Sequence, residues 1–117
     1  MATYTVNQLF TNIAENVALY DYHLRNTKMR FSMDSAEIEG IESTIGIDYS
    51  IRVETIGEQR LLSGFHQRYR IEAFLYNSKG DDIAQDYDTV VGLLADCEPV
   101  ATDLIVSVLN NYKSKDA

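Results

Sequence analysis

The 117-residue chain predicts an α+β fold: an N-terminal helix, a three- to four-stranded antiparallel β meander and a C-terminal helix, with both helices on one face of the sheet. Three observations carry this expectation. Apolar residues recur every three or four positions near both ends, they alternate with polar residues through the middle, and glycine-bearing turn segments separate the alternating runs. Hydrophobic residues at 45% against charged residues at 24% allow one packed core, so residues 1–117 read as a single domain.

The first helix is expected over residues 5–24, where Val6, Phe10, Ile13, Val17, Tyr20 and Leu24 form one stripe. Thr5 followed by Gln8 has the spacing of a capping box, in which each side chain satisfies a free backbone donor. Met29, Phe31 and Met33 then alternate with Lys28, Arg30 and Ser32, the pattern of a half-buried strand. In residues 34–43 the acids and Gly40 interrupt any period, which reads as a loop or an irregular, bulged strand.

From Ile45 to Val53 the alternation is regular, with Ile45, Ile47, Tyr49, Ile51 and Val53 on the inner face. A second long strand, residues 60–76, turns Phe65, Tyr69, Ile71, Ala73 and Leu75 inward and His66, Arg68, Arg70 and Glu72 outward. A third, residues 82–91, turns Ile83, Tyr87, Thr89 and Val91 inward. A loop of Ser78, Lys79 and Gly80 sets Asn77 opposite Asp81, Leu75 opposite Ile83, Ile71 opposite Tyr87 and Arg70 opposite Asp88. A Gly57–Glu58 turn needs one bulge at Ser63 or Gly64, after which Ile51 faces Phe65 and Asp48 faces Arg68. The last helix opens at Asp96 as N-cap, takes Pro99 in its first turn, and buries Val100, Ala101, Leu104, Ile105, Val108, Leu109 and Tyr112.

Charge is the main functional signal. Ten Lys plus Arg against 18 Asp plus Glu give a net charge of −8, which repels nucleic acid and anionic membranes and favours a partner protein with a basic surface. Residues 81–103 hold seven acids and residues 31–51 five, with no Lys or Arg in either stretch. Such clusters serve either as solvated surface or as a binding face. Arg68 and Arg70 are expected to neutralise Asp48, Asp86 and Asp88 across the sheet. The surplus then falls on Asp34, Glu37, Glu39 and Glu42, on the hairpin tip at Asp81 and Asp82, and on Asp96, Glu98 and Asp103 at the last helix. Phe74 and Tyr76, on the outer face with Ala84 opposite, are the aromatic candidates to anchor an interface.

Catalytic and metal-binding patterns are weak. Cys97 near a helix start is flanked by Asp96 and Glu98, which oppose thiolate formation, and His23 reads as a helix-end side chain. Asp81, Asp82, Asp86 and Asp88 lack the ligand spacing of a calcium loop. No cofactor, metal or enzymatic activity is expected. No apolar run reaches the roughly 18–20 residues that span a bilayer, and a lone cysteine suits a reducing compartment, so a cytoplasmic location is expected. The leading functional expectation is a small inhibitor that neutralises a basic, nucleic-acid-handling protein, as phage-encoded anti-defence inhibitors, anti-CRISPR proteins among them, and immunity proteins of nuclease toxins do. The alternative is an acidic homodimeric chaperone or adaptor for a secreted effector or virion protein. A third class, a pocket binding a small molecule, rests on inward Tyr49, Tyr69, Tyr87 and Gln67.

Overall fold

Thr5 and Gln8 form the expected capping box and start helix α1 (Val6–Ala18) in the computed structural model, which describes residues 4–115. Leu9, Phe10, Ile13 and Val17 form its buried stripe. The helix stops a turn and a half short of Leu24. Asp21 takes a left-handed conformation, φ 66°, and turns the chain so that Tyr20 is left exposed. His23 therefore precedes a strand instead of ending a helix.

Five strands follow: β1 (Leu24–Phe31), β2 (Ser35–Glu42), β3 (Ile47–Leu61), β4 (Gly64–Tyr76) and β5 (Asp82–Gly92). They form one antiparallel sheet in the order β1-β2-β3-β4-β5. Helix α2 (Cys97–Lys115) closes the described chain after a single 3-10 turn at Leu94–Asp96. Both helices pack on the face that carries Ile38, Ile51, Ile71 and Leu75. The α2 residues Ala101, Leu104, Ile105, Val108 and Leu109 are buried there as predicted, and Val100 and Tyr112 are partly so.

The extra strand is β2, the segment whose acids hid its period. Ala36, Ile38, Gly40 and Glu42 alternate inward along it. Gly40 is required by close approach, because a Cβ there would lie 1.9 Å from the Arg25 carbonyl oxygen and 2.9 Å from the Tyr49 hydroxyl. Glu42 sits at an inner position because its carboxylate accepts three backbone N–H groups, from His23 at 2.9 Å, Thr44 at 2.8 Å and Ile45 at 3.0 Å. Phe31 and Met33, expected to be half-buried, are largely exposed at the end of β1 and in the following turn.

Two registers differ from expectation. Strands β3 and β4 turn at Leu62–Ser63, not Gly57–Glu58, so Ile51 faces Ala73 and Asp48 faces Tyr76. The bulge lies between Thr55 and Gly57, not at Ser63 or Gly64, and Gly57 supplies its φ of 121°. A glycine free to adopt positive φ serves a bulge as well as a turn, which is why the sequence alone misplaces the hairpin end. Between β4 and β5 the loop is as predicted: the Asn77 N–H meets the Asp81 carbonyl at 3.0 Å and Gly80 has φ 84°. One residue later the ladder skips Ile83, so Leu75 faces Ala84, Ile71 faces Asp88 and Arg70 faces Thr89. A single-residue slip exchanges the two faces of a strand. Asp86 and Asp88 consequently share the helix side with Val90, while Tyr87, Thr89 and Val91 point to the outer side.

Candidate functional site

The predicted acids do not form one face. In a five-strand meander the β1–β2 and β3–β4 turns lie at one end of the sheet and the β2–β3 and β4–β5 turns at the other. Asp34 is exposed at the first end, while Asp81 and Asp82 are exposed at the second. Glu37 and Glu39 are half-buried on the outer face, where Arg30 reaches both, at 3.3 and 2.9 Å. Burial and the adjacent Glu39 raise the pKa of Glu37, with Arg30 and Arg52 opposing. Cross-strand pairing puts Arg30, Glu37, Arg52 and Glu72 in one row of alternating charge across β1 to β4. These acids are matched within the sheet.

Glu42 and Glu98 hold the fold together. Glu42 is fully buried, not an exposed binding acid; burial raises its pKa, but the His23, Thr44 and Ile45 N–H groups outweigh that and hold the carboxyl below the usual glutamate range. Glu98 accepts hydrogen bonds from the Tyr4 hydroxyl at 2.7 Å, from Asn12 at 3.0 Å and from Asn16 at 3.2 Å, so it ties α1 to the start of α2. These bonds lower its pKa, the Tyr4 bond most, and the same environment pushes Tyr4 up to about 12, chiefly by burial. Asp96 is exposed and does not serve as the expected N-cap of α2: it ends the 3-10 turn, and its carboxylate reaches back to accept the Leu93 N–H at 2.8 Å.

Phe74 and Tyr76 stack with ring centroids 6.2 Å apart on the outer face, but they face Gln85 and Asp82, not Ala84. The Tyr76 hydroxyl reaches Ser50 Oγ at 2.9 Å, so both rings are half-buried against the sheet. Arg70 lies 4.3 Å from the centre of the Tyr87 ring and 3.6 Å from Glu72. That placement corrects the expected Arg70–Asp88 pair; Arg68, likewise, faces Gly57 and Val91, not Asp48.

Asp86, Asp88 and Asp103 are what the structure brings together. They line a shallow groove of about 210 Å³ between β5 and α2 with Val100, Leu104 and Ser107, and no cation lines it. Beside it, β5 is an edge strand, and no described strand pairs with its far side. Alternate N–H groups of an edge strand point away from the sheet. Those of Tyr87 and Thr89 each donate at 2.8 Å to the carboxylate of the preceding residue, Asp86 and Asp88. Inward-pointing charge on an edge strand deters pairing with other strands. The sequence signal for this arrangement is the i, i+2 aspartates in the last strand of a meander, masked because the apolar Ile83 and Tyr87 alternate with them and the bulge at Ile83 turns the aspartates to the helix side.

Chemistry elsewhere is limited. Burial pushes the Cys97 thiol up to about 12, with Asp96 adding to it, so it stays protonated at neutral pH. Ser63 Oγ and His66 Nε2 lie 2.7 Å apart, but on an exposed turn, and among the described residues no group orients the other imidazole nitrogen. Among the described residues no group of three His, Cys, Asp or Glu can hold a metal ion, and no helix is long and apolar enough to cross a membrane. Comparison with protein-family models, with curated proteins and with solved structures gives no match for this chain.

Proposed function

We propose that the chain is a non-enzymatic docking protein whose β5–α2 face binds a basic surface of a nucleic-acid-handling protein and so competes with its nucleic acid. The observation that carries this is the groove of Asp86, Asp88 and Asp103, three carboxylates over an apolar floor of Val100 and Leu104 with no cation among its lining residues. Its sign matches the net charge of −8, so the local and the long-range fields steer the same partner. Asp86 and Asp88 hold only their neighbours' N–H groups, which leaves further lone pairs for arginine or lysine.

The test is binding to a panel of arginine-rich nucleic-acid-binding domains, with and without nucleic acid as competitor. Affinity is expected to fall steeply between about 50 and 200 mM salt, and the Asp86→Asn, Asp88→Asn, Asp103→Asn triple variant to bind at least about tenfold more weakly. Equal binding by the triple variant, or retention indifferent to salt, overturns the proposal. The second reading, a chaperone for an apolar client, draws on the cleft among Val6, Phe31 and Leu94; tight, salt-insensitive capture of an apolar peptide there favours it instead.

A further inference from the structure

Residues 57–66 of the β3–β4 hairpin form an arm that continues past the packed sheet, beyond the last β4–β5 pair at Gln67 and Gly92, and the molecule is accordingly long, 47 × 28 × 26 Å. The arm exposes apolar residues at its tip: Leu62 fully, Phe65 at 70% and Leu61 at 41% of their surface. Isolated exposed apolar residues are common, but three within five positions on a projecting element are a patch. Arg60 pairs across the ladder with Phe65 and stands 5.9 Å from the centre of its ring.

At the base of the arm lies a complementary feature. A groove of about 250 Å³ opens among Val6, Phe31, Val53, Tyr69 and Leu94, with Asp34 at its rim. Alternation along β4 places Phe65 on the same face as Tyr69, and the Thr55–Gly57 bulge keeps Arg60 opposite Phe65 on that face. The arm and the groove are therefore two surfaces of one chain that face the same way and cannot meet within it.

The spacing lets them meet between two chains. Four residues at about 3.3 Å each set Phe65 roughly 13 Å from Tyr69. If two arms lie antiparallel, face to face, about a two-fold axis at Gln67, each Phe65 arrives at the other chain's Tyr69. The same operation carries Arg60 from its place two residues beyond Glu58 to the neighbourhood of Thr55 and Ile56. There the Thr55 N–H and hydroxyl hold the Asp34 carbonyl, at 2.8 and 3.1 Å, so Asp34 is fixed beside the arriving arginine. We propose that two copies of this chain pair through their arms, Phe65 of each filling the groove of the other and Arg60 of each meeting the second copy's Asp34. A symmetric interface of this kind is self-complementary, and it places opposite charges and two apolar surfaces in contact at once.

Sedimentation across a concentration series is expected to show a monomer–dimer equilibrium. Phe65→Asp should weaken dimerisation at least about tenfold, the loss of one buried anchor per chain. Arg60→Asp and Asp34→Arg should each weaken it, and the double variant should recover most of the loss, which a folding defect would not do. Gln67→Cys, close to the axis, should be joined between chains by a short bismaleimide cross-linker, since face-to-face strands stand about 10 Å apart, and the native Cys97 is buried and does not compete. A chain that stays monomeric at every concentration, including one whose arm tip binds lipid vesicles instead, overturns the proposal. So does a dimer that persists in Phe65→Asp, or a charge swap without rescue. None of these outcomes bears on binding at the β5–α2 groove.

Discussion

Between Ile47 and Thr55 the β3 strand and its β4 partners belong to the packed core, whereas from Gly57 to His66 the same ladder runs on with neither β2 nor β5 paired beside it. Backbone pairing is continuous through both halves, so hydrogen bonding does not distinguish them. Side-chain burial does. Tyr49, Ile51, Ile71, Ala73 and Leu75 are at most 1% exposed, while Leu62 and Phe65 face water. Strand pairing follows from backbone chemistry and a good turn, but stability follows from the surface removed from water. The largest test of this difference is Ile71→Ala. Ile71 is completely buried at the centre of the sheet, and its truncation is expected to cost about 3 kcal/mol in urea denaturation, lost transfer energy plus the cavity left behind. A loss below about 1 kcal/mol would mean that the packed half tolerates a void as the arm does.

Much of this architecture is legible from the amino-acid sequence, and the places where it is not share a cause. The capping box at Thr5 and Gln8, the inward face of Ile47 to Val53, the Ser78–Gly80 loop and the α2 stripe all rest on local chemistry, and all are present. Residues 34–43 were obscured because Gly40 and Glu42 occupy inner positions for reasons of contact with distant groups: the Arg25 carbonyl and Tyr49 in one case, the His23 N–H in the other. The bulges at Ile56 and Ile83 each inserted one residue that no alternation pattern can reveal in advance. The second bulge exchanged the faces of β5 and with them the site. Arg70 pairs with Glu72 instead of Asp88, and Asp86 and Asp88 share a groove with Asp103, which an acid count along the chain could suggest but not assemble.

Glu42 offers the next test, smaller than Ile71. It is a polar group in the packed half, and it matters there because it is buried and bonded to three backbone N–H groups. In Glu42→Gln one carboxylate oxygen is replaced by an NH₂ that faces the backbone donors His23, Thr44 or Ile45, and the expected cost is about 1–3 kcal/mol. The pH dependence has a definite sign. The folded-state pKa of Glu42 is lowered, so its contribution is complete above the unfolded value of about 4.3 and is lost as pH falls through the folded one. The stability gap between wild type and Glu42→Gln should therefore be constant at neutral pH and close on acidification. A gap that widens in acid would show that the carboxyl is held protonated.

The arm supplies the smallest effect and the most discriminating one. Phe65 is the largest exposed ring on it, yet its contact is a neighbouring arginine across two strands, in water. At protein concentrations low enough to keep the chain monomeric, Phe65→Ser is expected to leave stability within about 0.5 kcal/mol of wild type, as for other solvent-exposed substitutions. Hydrogen exchange provides the complementary readout, since opening a segment costs only what that segment buries. Amides of residues 58–66 should exchange through local opening, orders of magnitude faster than those of 49–53 and 71–75, which wait for global unfolding. If Phe65→Ser cost more than about 1 kcal/mol in the monomer, or if the arm amides were protected to the global limit, the arm would be folding with the core and the boundary at Gly57 would be wrong. If protection of the arm amides instead rose with protein concentration while Ile71 stayed unaffected, the arm would be gaining its order from a second chain, and its exposed tip would be an interface kept apart from the core that stabilises the monomer.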